Sequence, residues 1–229
     1  MSLVTALLTW LDSLHADTLL ELAGVFFAAL SGGLAGVRKN FDVFGVLVLA
    51  WAAGLGGGVL RDVLIGATPP VGISNWKFVV TALAAGVVIF FLHPSVERMR
   101  RTVIVLDAWA LAFFVLLGTT KGLALGAGPL AAVMVGVLTG IGGGIMRDVL
   151  VGEVPLVLAD RQLYAIPAFL GAGVTVALWW TGWLSVWTQV LVVLLVSGIR
   201  LLSLRRGWVV PAPGSGWSGR WGAEGRMGT

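Results

Sequence analysis

A twelve-residue segment occurs twice in this chain. Residues 55–66 read Leu-Gly-Gly-Gly-Val-Leu-Arg-Asp-Val-Leu-Ile-Gly, and residues 141–152 read Ile-Gly-Gly-Gly-Ile-Met-Arg-Asp-Val-Leu-Val-Gly. Eight of the twelve positions are identical, and the other four exchange one apolar residue for another. Both copies lie near the end of a long apolar run. Glycine in a helix costs about 1 kcal/mol relative to alanine, so three in a row mark a place where a helix bends or a neighbour comes very close. The Arg-Asp pair beside them is a group that hydrocarbon does not accept without a partner or water. Together they predict a duplicated membrane protein with two broken or kinked helices, the plan of a permeation pathway.

Composition agrees. Of 229 residues, 58% are hydrophobic and 11% are charged. A soluble domain carries about 25% charged residues, so this is an integral membrane protein. The chain has no cysteine, which excludes disulfides and cysteine-bearing metal sites. His15 and His93 are far apart and near segment ends, and read as interfacial residues, not metal ligands. A net charge of +4 and a pI near 10.3 could suggest nucleic acid as a partner. The basic residues are instead spread over loops and the C-terminal end, the distribution that sets membrane orientation. Residues 1–18 lack a basic leader and a small-residue cleavage site and read as a retained amphipathic lead-in.

Apolar runs of near-spanning length fall at about 19–37, 42–64, 77–92, 103–119, 129–150, 163–181 and 185–203. Pro69-Pro70 and Pro155 are expected to end the motif helices, since proline lacks the N–H a helix needs. Trp179, Trp180, Trp183 and Trp187 mark a membrane–water interface at the sixth-to-seventh turn. Outside the motifs, one side of the membrane holds only Lys77 and Lys121. The other holds Arg38, Lys39, Arg98, Arg100, Arg101, Arg161, Arg200, Arg205, Arg206, Arg220 and Arg226, or two against eleven. The positive-inside rule then puts the N-terminus outside and the C-terminus in the cytoplasm. The tail, 205–229, is rich in Gly, Ser and Trp and is expected to be disordered.

The motif offset of 86 residues also aligns Glu21 with Asp107, Gly32 with Gly118, Gly36 with Gly122, Gly54 with Gly140 and Pro69 with Pro155. The expected organisation is a three-helix repeat at 19–92, a second at 103–181, and an unpartnered seventh helix at 185–204. An odd number of spans per repeat inverts the second copy, so the halves are related by a pseudo-two-fold axis in the membrane plane. The fold class is therefore all-α, with two inverted three-helix repeats plus a seventh helix. Inversion groups Glu21, Arg61 and Asp62 on one side of the bilayer, and Asp107, Arg147 and Asp148 on the other. Spans one and two are neighbours in sequence, as are four and five, so each acid is expected near its Arg.

Each signal has a plainer reading. The glycine clusters can serve close packing, as small residues do between membrane helices. The face formed by Gly24, Ala28, Gly32 and Gly36 in the first span reads first as tight helix contact. The Arg-Asp pairs can be a structural ion-pair network as well as groups in a conduction path. Ser31, Thr119, Thr120 and Thr139 can simply bond back to a helical carbonyl. A nucleophile–base pair, a metal cluster and a nucleotide-binding loop are all missing from the pattern, so enzymatic activity is not expected.

Two copies of a three-span unit, each with Gly-Gly-Gly-x-x-Arg-Asp in its second span, resemble the trimeric intracellular cation channel family. The likeness is to its bacterial branch, whose repeat is also described as a glycine-transporter domain. It runs from about Leu19 to Leu204, supported by Arg38-Lys39, Asp42, Phe44-Gly45, Asp107, Pro129 and Glu153-Val154-Pro155. The resemblance implies a seven-helix protomer in a homotrimer, with an ion pathway inside each protomer bounded by spans one, two, four and five. It implies bends at Gly56, Gly57 and Gly58 and at Gly142, Gly143 and Gly144. The permeant ion it implies is mainly potassium, with membrane lipid and the two other copies of a homotrimer as partners, no nucleic acid and no cofactor. On this reading Glu21 and Asp107 concentrate cations at the pore mouths, and Arg61 and Arg147, with Asp62 and Asp148, set charge at the constriction. The competing expectation is a secondary transporter of a small zwitterion such as glycine, because inverted repeats with broken helices are also a transporter plan. The expected location is a bacterial inner membrane.

Overall fold

A computed structural model describes residues 16–93, 96–159 and 163–208. Most of the lead-in and of the C-terminal tail lie outside the described residues, as do His15, Arg161, Arg220 and Arg226. Nine helices are present among the described residues: α1 (Ala16–Arg38), α2 (Val43–Leu64), α3 (Val71–Ser74), α4 (Trp76–Phe91), α5 (Val96–Ala124), α6 (Pro129–Leu150), α7 (Leu156–Ala159), α8 (Ala165–Trp180) and α9 (Val186–Arg206). Five of them, α1, α2, α5, α6 and α9, are long and apolar enough to cross a membrane. The shorter apolar helices α4 and α8 complete seven. The protein is an all-α membrane protein built as two copies of long helix, long helix, short helix, apolar helix, followed by α9.

Local chemistry sets the ends. Asp42 caps α2 by accepting from the Gly45 N–H at 2.8 Å. Both motif helices stop at the last glycine of the twelve-residue segment. Gly66 and Gly152 have φ of 70° and 72°, the left-handed conformation that glycine adopts without steric cost. The next N–H groups, of Ala67 and Glu153, return to the carbonyls of Asp62 and Asp148 at 2.8 Å. This is the same glycine-terminated cap twice. It corrects the expectation that Pro69-Pro70 and Pro155 end these helices: the prolines come later and lead into α3 and α7. The fourth span is also longer than its apolar run, 29 residues against the expected 103–119. At its C-terminal end Lys121 lies within the helix and pairs with Asp62.

Helices α1, α2, α5 and α6 pack against one another at the centre, and α4 and α8 lie outside them. Helix α9 packs on α5 and α8, so the appended helix touches the second repeat. The first-span face does serve tight contact. A Cβ added at Gly32 would strike the Leu49 carbonyl oxygen and Ala53 of α2, and one at Gly24 would lie 2.9 Å from the Phe113 Cβ of α5. Phe27 stacks between Trp109 and Phe113, each at 5.9 Å between ring centres.

Candidate functional site

The triple glycines sit where α2 and α6 cross. Both helices run without interruption through their motifs, so neither is broken there. The glycines bring the two backbones together. A Cβ at Gly57 would collide with the Thr139 carbonyl oxygen and lie 3.2 Å from the Gly143 nitrogen. One at Gly143 would collide with the Ala53 carbonyl oxygen, and one at Gly142 would lie 3.2 Å from the Gly57 Cα. Gly56 faces the flexible end of Met146. The middle glycines are therefore the crossing pair, and each repeat supplies one.

A buried charge cluster lies on either side of this crossing. In the first, the Arg61 side chain is 1% exposed. Its Nε donates to Asp62 Oδ1 at 2.8 Å, and its Nη2 donates to Glu21 Oε1 at 3.2 Å. Lys121 Nζ, from the second repeat, donates to the same Asp62 oxygen at 2.7 Å. Asp62 Oδ2 accepts from the Val71 N–H at 2.8 Å, so the acid also holds the first turn of α3. An open cavity of about 330 Å³ adjoins this cluster, lined by Glu21, Arg61, Thr120, Lys121 and Trp179 among others.

The second cluster repeats the plan in tighter form. The Arg147 side chain is also 1% exposed. Its Nε donates to Asp148 Oδ1 at 2.7 Å and its Nη1 to Asp107 Oδ1 at 2.7 Å. Asp148 Oδ2 accepts from the Leu156 N–H at 2.8 Å and holds α7 as Asp62 holds α3. Two hydroxyls are added. Ser31 Oγ of the first repeat accepts from Arg147 Nη1 at 2.6 Å and donates to the Val103 carbonyl at 3.3 Å. Tyr164 donates to Asp107 Oδ2 at 2.7 Å. The space left here is about 10 Å³, the room of roughly one water. Arg147 Nη2 is buried and has no hydrogen-bond partner among the described residues.

Both expected acid–arginine pairs are thus formed, Glu21 with Arg61 and Asp107 with Arg147, at opposite ends of the bundle. Thr119, Thr120 and Thr139 bond back to Val115, Leu116 and Val135 in their own helices, as read from the sequence. Ser31 does not; it joins the repeats. Lys121, Tyr164 and Arg200 were missed. By sequence position Lys121 and Arg200 count as membrane-flanking positive charge, but Lys121 is in the first cluster and Arg200 is fully buried in α9. A signal existed: Arg200 interrupts the apolar run of the seventh span, and Tyr164 is the single tyrosine of the chain.

A third set of charges ties the ends of the repeats. Glu153, just after α6, accepts from Arg38 at 2.6 Å and Lys39 at 3.0 Å, both at the end of α1. Partial burial pushes the Glu153 carboxyl up, but the hydrogen bonds and charge of Lys39 and Arg38 outweigh it and hold the group below its ordinary value.

The family model described as glycine transporter matches twice, at residues 18–94 and 104–180. A UPF0126 membrane protein of Deinococcus radiodurans is 44% identical over 155 residues, 67% of this chain and 72% of that protein. The UPF0126 inner membrane protein YadS of Escherichia coli K12 is 36% identical over 163 residues, 71% of this chain and 78% of that one. Among solved structures, the TRIC trimeric intracellular cation channel orthologue from Rhodobacter sphaeroides is 33% identical with a TM-score of 0.79. The match covers 84% of this chain and 98% of that one. This chain belongs to the UPF0126/TRIC-like family. The two family-model matches are offset by 86 residues (104 − 18), the spacing of the two motif arginines.

Proposed function

We propose that the protein is a passive, potassium-preferring channel for monovalent cations in a bacterial inner membrane, assembled as a homotrimer with a pathway inside each protomer. The observation that carries this reading is a buried, ion-paired cluster at each end of one glycine crossing, inside a single protomer. A path between the clusters meets an acid near each end, Glu21 and Asp107, which raise local cation concentration. Arg61 and Arg147 offset that charge and keep the path from trapping a cation. Asp62 and Asp148 orient the guanidiniums and fix α3 and α7. The crossing at Gly56–Gly58 and Gly142–Gly144 is the narrowest point, and bending of the two unbroken helices there widens it. The repeats act as the units 19–92 and 103–181. With Lys121 and Arg200 removed from the loop charge as internal residues, the count becomes one against ten and still favours an N-terminus outside and a C-terminus in the cytoplasm. The solved relative described as a trimeric cation channel supports channel and trimer alike.

The second reading, a transporter of a small zwitterion, is favoured by the description of the matching family model. One assay separates the two. Proteoliposomes carrying potassium and glycine gradients are followed on the same vesicles. The channel reading expects potassium flux down its own gradient, unchanged by glycine. Glycine uptake tied to a proton or sodium gradient, without free potassium flux, would replace it with the transporter.

A further inference from the structure

We propose that Arg200 of α9 is a positioning residue for the Asp107–Arg147 cluster, acting through Tyr164, so that the helix outside the repeats controls one end of the pathway. The link to a pathway rests on the channel reading above; the positioning itself does not. Arg200 is fully buried within an apolar helix, and arginines at such depth are retained where they have partners. Its Nη1 donates to the Leu163 carbonyl at 3.2 Å. Its guanidinium carbon lies 4.6 Å from the centre of the Tyr164 ring, in cation–π range. Arg200 therefore holds both the backbone just before the tyrosine and the face of its ring.

The other side of that ring system is chemistry. The Tyr164 hydroxyl donates to Asp107 Oδ2, and Asp107 Oδ1 accepts from Arg147. A cation on the ring face draws electron density from the phenol and makes the hydroxyl a better donor to the carboxylate. The chain of contacts runs Arg200, Tyr164, Asp107, Arg147 and on to Asp148. Both Asp107 oxygens are thereby held, one by the tyrosine and one by the arginine. Glu21 at the other end is held through one oxygen and remains 22% exposed. The repeat supplies no equivalent: at the 86-residue offset the place of Tyr164 is taken by Phe78, and α9 has no counterpart. Phe78 does line the small cavity beside Glu21 and Arg61, where a hydroxyl would be needed.

The single tyrosine gives a clean test. Full-length protein is labelled with ring-¹³C tyrosine, and the carbon bearing the hydroxyl is observed by NMR in wild type, D107N, R200Q, R200M and R200K. R200Q keeps an uncharged hydrogen-bonding side chain at this buried position if R200M does not fold. The expected result is that R200Q moves the resonance in the same direction as D107N, and that R200K returns it toward wild type. A resonance that moves in D107N and stays at the wild-type position in R200Q would overturn the proposal. Conductance tests the link to the pathway. In bilayers that pass potassium, R200Q and Y164F should each change unitary conductance about twofold, and the double variant no more than either single one. Additive effects of the two substitutions would show that Arg200 does not act through Tyr164. Absence of any potassium current in the wild type would fail the channel reading, and the resonance would still decide the positioning.

Discussion

Arg61 and Arg147 hold equivalent places in a duplicated segment and make the same first three contacts: the next residue, an acid forty residues earlier, and through the following Asp a short helix. Around them the two ends diverge. The Arg61 cluster takes a fourth charge, Lys121, which is 28% exposed, and opens on a cavity of about 330 Å³. The Arg147 cluster takes two hydroxyls, those of Ser31 and the buried Tyr164, and is nearly filled. Duplication kept the charge pairs and let the surroundings drift, so one end adjoins an open cavity while the other is closely packed. A pathway through such a protein is not symmetric even though its repeat is.

The largest expected effect comes from removing the arginines. Arg147→Met leaves Asp107 and Asp148 buried with hydroxyl or backbone partners only. Loss of one side of a buried ion pair costs about 3–5 kcal/mol. Arg61→Met is expected to cost less, because Lys121 still pairs Asp62 and Glu21 reaches solvent. Thermal unfolding of both variants in the same detergent measures the difference. Equal losses would remove the distinction between the closely packed end and the open one.

A smaller effect separates the third glycines of the motifs. A Cβ at Gly144 would lie 3.0 Å from Asp107 Oδ1 and 3.2 Å from the Tyr164 hydroxyl. At Gly58 the nearest neighbour is the end of Arg61 at 4.0 Å. Gly144→Ala should destabilise by about 1–3 kcal/mol through overpacking. Gly58→Ala should be neutral or stabilising by up to about 1 kcal/mol, the helical preference of alanine. The same unfolding measurement checks both, and the opposite order would mean that the second cluster is the looser one.

The smallest effect concerns Glu153. Its carboxyl is held below its ordinary value, so its contribution is present above the unfolded pKa and is lost as pH falls through the lowered folded value. Acidification through that range should release Arg38 and Lys39, and Glu153→Gln should abolish that part of the pH dependence. The first repeat has Ala67 at the position offset from Glu153, so a matching acid-sensitive step at the Arg61 end is not expected. Unfolding followed from pH 3 to 6 in both forms decides it.

What the sequence made legible follows the length scale of each interaction. The spans, the 86-residue repeat and the acid–arginine pairs were readable because they depend on apolar run length, on identity at a fixed offset, and on sequential neighbours. Lys121, Ser31 and Tyr164 were not, because each reaches the cluster from a helix that is distant in sequence. Arg200 was misread for a related reason: near the end of a span, an arginine on the inner face of a helix looks the same as one that flanks the membrane. The glycine runs read first as bends. What they visibly provide is contact between α2 and α6, which requires the partner's backbone to be known.

The adjacency of arginine and aspartate has a further consequence, for biosynthesis. Asp62 is made 59 residues before Lys121, and Asp107 is made 40 residues before Arg147. At about 5–20 residues per second, those intervals last on the order of seconds. During them Asp62 has Arg61 but not Lys121, and Asp107 waits for Arg147, whereas each motif arginine is made after its distant acid. A dipeptide of opposite charges travels as a neutral unit, so the segment can be inserted before the rest of its network exists. The long-range contacts then close one by one as later helices arrive, and the order of synthesis becomes the order of assembly.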